Sequence, residues 1–417
     1  MVNAGDTAFI IVCAALVFIM TPGLGFFYGG LGRRKNVVNN MMASIGIMGL
    51  GIVLWMILGY SMAFGGEGLV VGAWSFDHIG HAGVSMGDLL DPEAEGGSIP
   101  TLVFSAFQMM FALITPAIIT GSVGGRMRYK SLFIFLGLWS VIVYYPLAHM
   151  VWGSGGLLGT GWLDSIDFAG GNVVHISSGV SGLVLCLLLG KRRGYDAINY
   201  RVHNIPFVMI GMALLWFGWF GFNAGSALAA GELAGHAFMT TAVSAAAAMV
   251  SWMAIDTIKQ GKPTLIGACT GVVAGLVGIT PGAGFVPVYA SLIIGLVVSP
   301  VCYFGITLVK KVLKIDDALD AFGCHGIGGI FGGLMTGIFA QAAINGYDGL
   351  VYGNPEQLLK QFIAILISIA IAAVGTLVCF AITRAFGPIR VTDKEEQIGL
   401  DVTQHGEHAY PSFNGLD

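Results

Sequence analysis

The sequence predicts an all-α membrane protein of eleven transmembrane helices. Three observations predict it: eleven apolar stretches of spanning length, basic residues confined to alternate joints between them, and a composition that leaves no polar shell. The stretches lie near 7–32, 38–65, 99–124, 131–152, 168–190, 203–225, 232–258, 264–281, 285–309, 321–343 and 357–386. Their lengths match the roughly 20 residues needed to cross about 30 Å of hydrocarbon.

Taken in order, the first stretch follows a short external lead-in, Met1 to Asp6, with no basic region of the kind that opens a cleavable secretory signal. It stops at Arg33, Arg34 and Lys35. The second ends in an acidic outer joint holding Glu67, Asp77, Asp88, Asp91, Glu93 and Glu95, which reads as a solvated loop or as a mild attractor of cations. The third stops at Arg126, Arg128 and Lys130, and the fifth at Lys191, Arg192, Arg193 and Arg201. The seventh stops at Lys259 and Lys262, and the ninth at Lys310, Lys311 and Lys314. After the eleventh come Arg384, Arg390 and Lys394. Of 19 Lys and Arg residues, only Lys360 breaks the alternation. The positive-inside bias therefore puts the amino terminus outside and the carboxyl terminus in the cytoplasm.

Composition excludes the soluble classes, since 56% of residues are apolar and 10% charged, and the mean hydropathy is +0.82. The 64 glycines would weaken soluble helices by about 1 kcal/mol each. In a bilayer, small residues let helix backbones approach closely, so they predict tight packing around something narrow. Cys13, Cys186, Cys269, Cys302, Cys324 and Cys379 all fall in predicted spans without metal-ligand or disulfide spacing, and read as packing residues. Gly190-Lys191 lacks the rest of a nucleotide-binding loop. A net charge of -4 carries no nucleic-acid signal. No cofactor, no metal and no enzymatic activity are expected, because two histidines without carboxylate or thiolate at ligand spacing make a poor metal site.

An internal repeat carries the most information. The fifth stretch opens DFAGGNVVHISSGVSGL from Asp167 through His175, and the tenth opens DAFGCHGIGGIFGGL from Asp320 through His325. The histidines are 150 residues and five spans apart, so two five-span halves, near 7–190 and 203–343, are expected in opposite orientations, with the eleventh span, 357–386, appended. Inverted repeats of this kind place a substrate path near mid-membrane, between the halves. His175 and His325 are the histidines set well inside spans; His149 and His236 sit near span ends, and His78, His81, His203, His405 and His408 in loops or the tail. A buried ionisable side chain is a functional candidate by default. A lone buried His more often serves packing, but duplication at equivalent points reverses that reading. Two neutral imidazoles, or a pair sharing one proton, offer donor and acceptor nitrogens without a fixed charge, which suits a tiny hydride or a proton relay.

Asp167, as the first residue of its span, reads foremost as a helix cap whose charge also favours a nearby cation. Asp320 has the same capping reading, and the contribution of Asp164 is left open. At the outer ends of spans four and six, HMVWG and WFGFNAGS supply an indole, Trp152, and a hydroxyl, Ser226, with phenyl rings a turn deeper, and span three holds the cluster from Phe107 to Phe111. Singly, each cluster reads as an aromatic belt; together they supply cation–π attraction and a hydrogen-bond acceptor.

With these segments, PGLGFFYGGLGRRKN, GACTGVVAGLVGITP and the tail motif GLDVTQHGEHAY complete a set that resembles the ammonium transporter family (Amt/Mep/Rh) from end to end. Trp152 and Ser226 are similar to the Amt branch rather than the Rh branch, and the form is that of prokaryotic members. The resemblance implies ammonium recruitment at Trp152, Ser226 and Phe111, and a phenyl gate of Phe111 and Phe222 flanked by Phe107 and Trp219. It implies a twin-histidine pore of His175 and His325, and Asp167 as the buried carboxylate beside the recruitment site. It further implies a homotrimer with one pore per subunit in the plasma (inner) membrane, a transmembrane domain over 1–386, and a cytoplasmic regulatory tail over 387–417 that engages PII-type signalling proteins. The expected function is ammonium transport with deprotonation and passage of ammonia. A passive ammonia channel and an ammonium sensor acting through PII partners stand beside it, and a carbon dioxide or water channel would leave the aromatic site without purpose.

Overall fold

The computed structural model describes residues 2–72, 97–195 and 202–410. Asp77, His78, His81, Asp88, Asp91, Glu93, Glu95 and Arg201 lie outside the described residues. Among the described residues eleven helices of spanning length follow in order: α1 (Ala4–Leu31), α2 (Arg34–Phe64), α3 (Thr101–Val123), α4 (Tyr129–Trp152), α5 (Gly171–Leu189), α6 (Ile205–Gly225), α7 (Glu232–Gln260), α8 (Leu265–Gly282), α9 (Val288–Val312), α10 (Phe322–Phe339) and α11 (Pro355–Arg384). Each overlaps its expected span. α10 stops four residues early because the chain turns extended at Ala340, and Ala342–Asn345 forms a separate short helix. The chain is a multi-pass membrane protein, and all six cysteines are buried and unpaired by disulfide, as packing residues should be.

A shift of 150 residues puts α5 and α10 in the same local register. Ser177–Leu189 of α5 matches Ile327–Phe339 of α10, and a π-helical turn precedes each, Gly171–Ile176 and Phe322–Gly326. Left-handed backbone recurs at the same register: Asp164 and Lys314 share φ near 53°, and Gly170 and Asp320 have φ of 120° and 61°. The crossing of α5 with α10 is reciprocal. A Cβ on Gly179 would overlap the Gly326 amide, and one on Gly329, the partner position of Gly179, would stand 3.2 Å from the Ile176 amide. This is the close backbone approach the glycine content predicts, and it brings the two π-helical turns, with their histidines, face to face at the centre.

The joints after α1, α3 and α5 and the tail meet on one face, which the positive-inside bias makes cytoplasmic. Beneath them Asp316 is buried between Arg192 at 2.6 Å and Arg126 at 3.1 Å. Burial would raise its carboxyl, but the two guanidiniums outweigh burial and hold it below the usual carboxylate range. The tail helix α12 (Asp393–Ile398) starts with a Thr392–Glu395 capping box. Arg128 pairs with Glu395 at 2.9 Å, Glu396 accepts from the Arg193 amide at 2.7 Å, and Asp401 caps α2 through the amides of Val37 and Asn39 at 3.0 and 2.9 Å. On the opposite face Lys360, the exception to the charge rule, pairs with Asp164 at 3.3 Å and Glu356 at 3.4 Å. That local neutralisation gives Asp164 a structural role.

Candidate functional site

The residues singled out from sequence form one column through the centre of the molecule. At its outer end is a cavity of about 400 Å³ lined by Phe111, Trp152, Phe168, Ser226, Gln108 and Thr160, among others. Trp152 is fixed by its indole N–H, which donates to the Asp167 carbonyl at 2.8 Å. Ser226 donates its proton to the Phe222 carbonyl one turn back, at 2.9 Å. Its lone pairs are thereby left to accept from a bound cation.

Below the cavity Phe111 and Phe222 stack with ring centroids 4.1 Å apart, and the Trp152 indole meets Phe111 edge-on at 6.0 Å. Phe107 packs edge-on against Phe111 at 5.0 Å. Trp219 is held by its N–H to Thr280 Oγ1 at 2.8 Å and lies flat against His175, centroids 5.3 Å apart. Beyond the phenyl pair the space narrows to about 20 Å³, lined by Met20, Leu24, Ile114, Val273 and other apolar side chains together with the two histidines.

His175 and His325 face each other through their Nδ1 atoms at 3.2 Å. Both are buried, and His175 Nε2 has no hydrogen-bond partner. Two Nδ1 atoms in contact need one proton between them, so one ring donates and the other accepts, and the rings hold opposite tautomers. The free Nε2 is then a polar atom offered to whatever occupies the pore. His149 lies outside this column: its ring nitrogens meet the carbonyls of Ala63 and Gly68 at 2.9 and 2.6 Å, tying the end of α2 to α4.

The Asp167 carboxylate accepts from the amides of Gly170, Gly171 and Asn172 at 2.7 to 2.8 Å, the cap expected of it. Burial is the larger influence and raises its carboxyl, against the opposing amides. The cap of α10 corrects the sequence reading. Asp320 pairs with Lys310, whereas the buried Asp317 accepts from the amides of Phe322 and Gly323 at 2.9 and 3.3 Å and from Ser122 Oγ at 2.8 Å. Asp317 precedes His325 by eight residues, as Asp167 precedes His175, so that spacing was the signal missed. Asp317→Ala is therefore expected to lower the melting temperature more than Asp320→Ala. The expected losses are about 2 kcal/mol or more for the orphaned amides against about 1 for an ion pair with both side chains about a third exposed, and thermal unfolding of the two variants measures the difference.

The column runs from an outer cavity walled by an indole and a hydroxyl, through a stacked phenyl pair, to a narrow apolar space holding two imidazoles. The sequence profile of the Ammonium Transporter Family matches residues 8–410. The chain belongs to that family. Among relatives, an ammonium transporter of Bacillus subtilis is 46% identical over 97% of this chain and 98% of its own. The ammonium transporter Amt1 of Archaeoglobus fulgidus is 44% identical over 97% and 99%. The crystal structure of Saccharomyces cerevisiae Mep2 superimposes with a TM-score of 0.86 at 33% identity, covering 99% of this chain and 94% of that one. A structure titled Sensor Amt Protein superimposes with a TM-score of 0.86 at 27% identity, covering 96% and 98%. The coarse function that family and relatives support for this family member is ammonium transport.

Proposed function

We propose that the protein recruits ammonium at Trp152, Ser226 and Phe111, strips its proton near the Phe111–Phe222 gate, and conducts ammonia past His175 and His325 while the proton moves separately, so that net transport is electrogenic. The observation that carries this reading is the apolar channel below the stacked rings, whose polar lining atoms are those of the histidine pair. A bare ammonium ion in such a tube incurs a desolvation cost of tens of kcal/mol on an idealised scale. Removing its proton at pH 7 costs roughly 3 to 4 kcal/mol, so the neutral route wins. Sodium and potassium have no proton to lose and are rejected.

The homotrimer, the plasma-membrane location and a PII-type partner at the cytoplasmic face belong to the same proposal. Residues 387–417 are its regulatory tail, and the contacts of Glu395, Glu396 and Asp401 with three cytoplasmic joints support that assignment. A sensor reading makes the opposite forecast of tail-dependent partner binding without saturable ammonium current.

Trp152→Leu removes an indole face worth about 2 kcal/mol to a desolvated cation, and should raise the half-saturating ammonium concentration about tenfold or more. Ser226→Ala should raise it about fivefold, the value of one hydrogen bond. Concentration series of ammonium-evoked current in proteoliposomes measure both. Unchanged half-saturation in both variants would remove the recruitment site from the proposal.

A further inference from the structure

The transport column leaves unused a cavity of about 450 Å³ on the cytoplasmic face. One wall is Arg33, Arg34 and Lys35, the joint after α1; the other is the tail, with Asp401, His408 and Tyr410. Three cations thus face one carboxylate among the described residues lining it. Both oxygens of Asp401 are engaged by the Val37 and Asn39 amides, and Lys35 Nζ is held by the carbonyls of Glu396 and Gln397, with the Glu396 carboxylate near enough to favour its charge. The Arg34 guanidinium lies 5.4 Å from the centre of the Tyr410 ring. Tyr410 is fixed in turn, its hydroxyl taking a hydrogen bond from Asn204 Nδ2 at 3.0 Å and lying 3.1 Å from His203 Nε2. The cations are therefore gathered on a positioned wall, and the opposite wall exists only while the tail is docked.

We propose that this cavity binds a phosphate group, and that the bound phosphate holds the tail against the membrane domain. Guanidinium and ammonium groups beside a phenol match phosphoryl oxygens in charge and in hydrogen bonding. A ligand touching both walls binds the docked tail and not the released one, and so shifts the tail toward docking by mass action. The phosphate can come from the headgroup of an anionic lipid of the inner leaflet or from a soluble polyphosphate. The inference does not depend on how ammonium crosses the pore.

The test measures amide hydrogen exchange of residues 393–410 in the full-length protein in nanodiscs. One arm compares phosphatidylcholine with phosphatidylcholine plus phosphatidylglycerol; the other titrates pyrophosphate into phosphatidylcholine discs. Slowed tail exchange in either arm is expected and identifies the source. In that arm Arg33→Gln with Arg34→Gln should raise the ligand concentration required about thirtyfold, two cations' worth. Tyr410→Ala, which leaves the charge unchanged, should also raise it. Lys311→Gln with Lys314→Gln, the same charge removed from another joint, should not. Exchange within α1 and α6 verifies that each variant is folded. No slowing in either arm overturns the proposal. So does an equal loss in the Lys311/Lys314 control, or an unaltered response in Tyr410→Ala, because either result reduces the cavity to a generally basic surface.

Discussion

Replacing either pore histidine with alanine is expected to abolish the ammonium-evoked current, the largest functional effect of any single substitution in this protein. The pore below the phenyl pair holds about 20 Å³ of free space, and the histidine pair supplies its polar atoms. His175→Ala leaves the Nδ1 of His325 facing a void, and His325→Ala does the reverse, since each ring is the other's partner at 3.2 Å. An unmet polar group there costs about 1 to 3 kcal/mol. Placed on the barrier to passage, that cost slows transport by about tenfold to a hundredfold, and the loss of the relay between the rings removes any proton route. Solid-supported-membrane currents from proteoliposomes, with thermal unfolding to verify the fold, give the comparison. Native current in both variants would take the histidines out of the transport path.

The second large effect falls on stability. Asp167→Ala leaves the amides of Gly170, Gly171 and Asn172 buried without the acceptor they share. At about 1 to 3 kcal/mol for each orphaned group, the expected loss is on the order of 5 kcal/mol, enough to reduce the yield of folded protein sharply. Asp167→Asn keeps one acceptor oxygen and should lie between the two. Asp164→Asn removes a half-exposed ion pair with Lys360 and should stay within about 1 kcal/mol of the native protein. Melting temperatures of the three variants order them. A native melting temperature for Asp167→Ala would mean that the cap contributes nothing to holding α5.

The Asp167 result bears on function because the same residue, through its backbone carbonyl, also orders the outer mouth. Its carbonyl fixes the Trp152 indole while its carboxylate fixes the start of α5, eight residues ahead of His175. A loss of ammonium affinity in Asp167→Asn, with little loss of stability, would separate the electrostatic contribution of the carboxylate from its capping.

Much of this was legible in the sequence because it depends on local or periodic features. Span length and the alternation of basic joints are written residue by residue, and the 150-residue spacing of His175 and His325 marks a repeat that the backbone reproduces down to its left-handed residues. The Phe111–Phe222 stack and the Trp152–Ser226 mouth were legible through the family resemblance, since span ends specify which side of the membrane a residue occupies but not which rings touch. Asp317 was missed because Asp320 stands nearer to His325, and proximity in sequence was weighed above register.

Contacts that close over long sequence separations left no local mark. The burial of Asp316 between Arg126 and Arg192 joins three separate joints, and the Asp401 cap of α2 joins residues more than 360 apart. Each of these carboxylates, read along the chain, is an ordinary loop charge. Lys360 looked like an exception to a rule until its partners, Asp164 and Glu356, were placed beside it.

The central claim is that a cation crosses only by giving up its proton, and the most direct measurement compares currents evoked by equal jumps of ammonium and of potassium in proteoliposomes of the native protein. The expected result is a saturable ammonium current with no potassium current above that of protein-free liposomes. A potassium current comparable with the ammonium current would contradict it, because potassium has no neutral form in which to pass between Phe111 and Phe222.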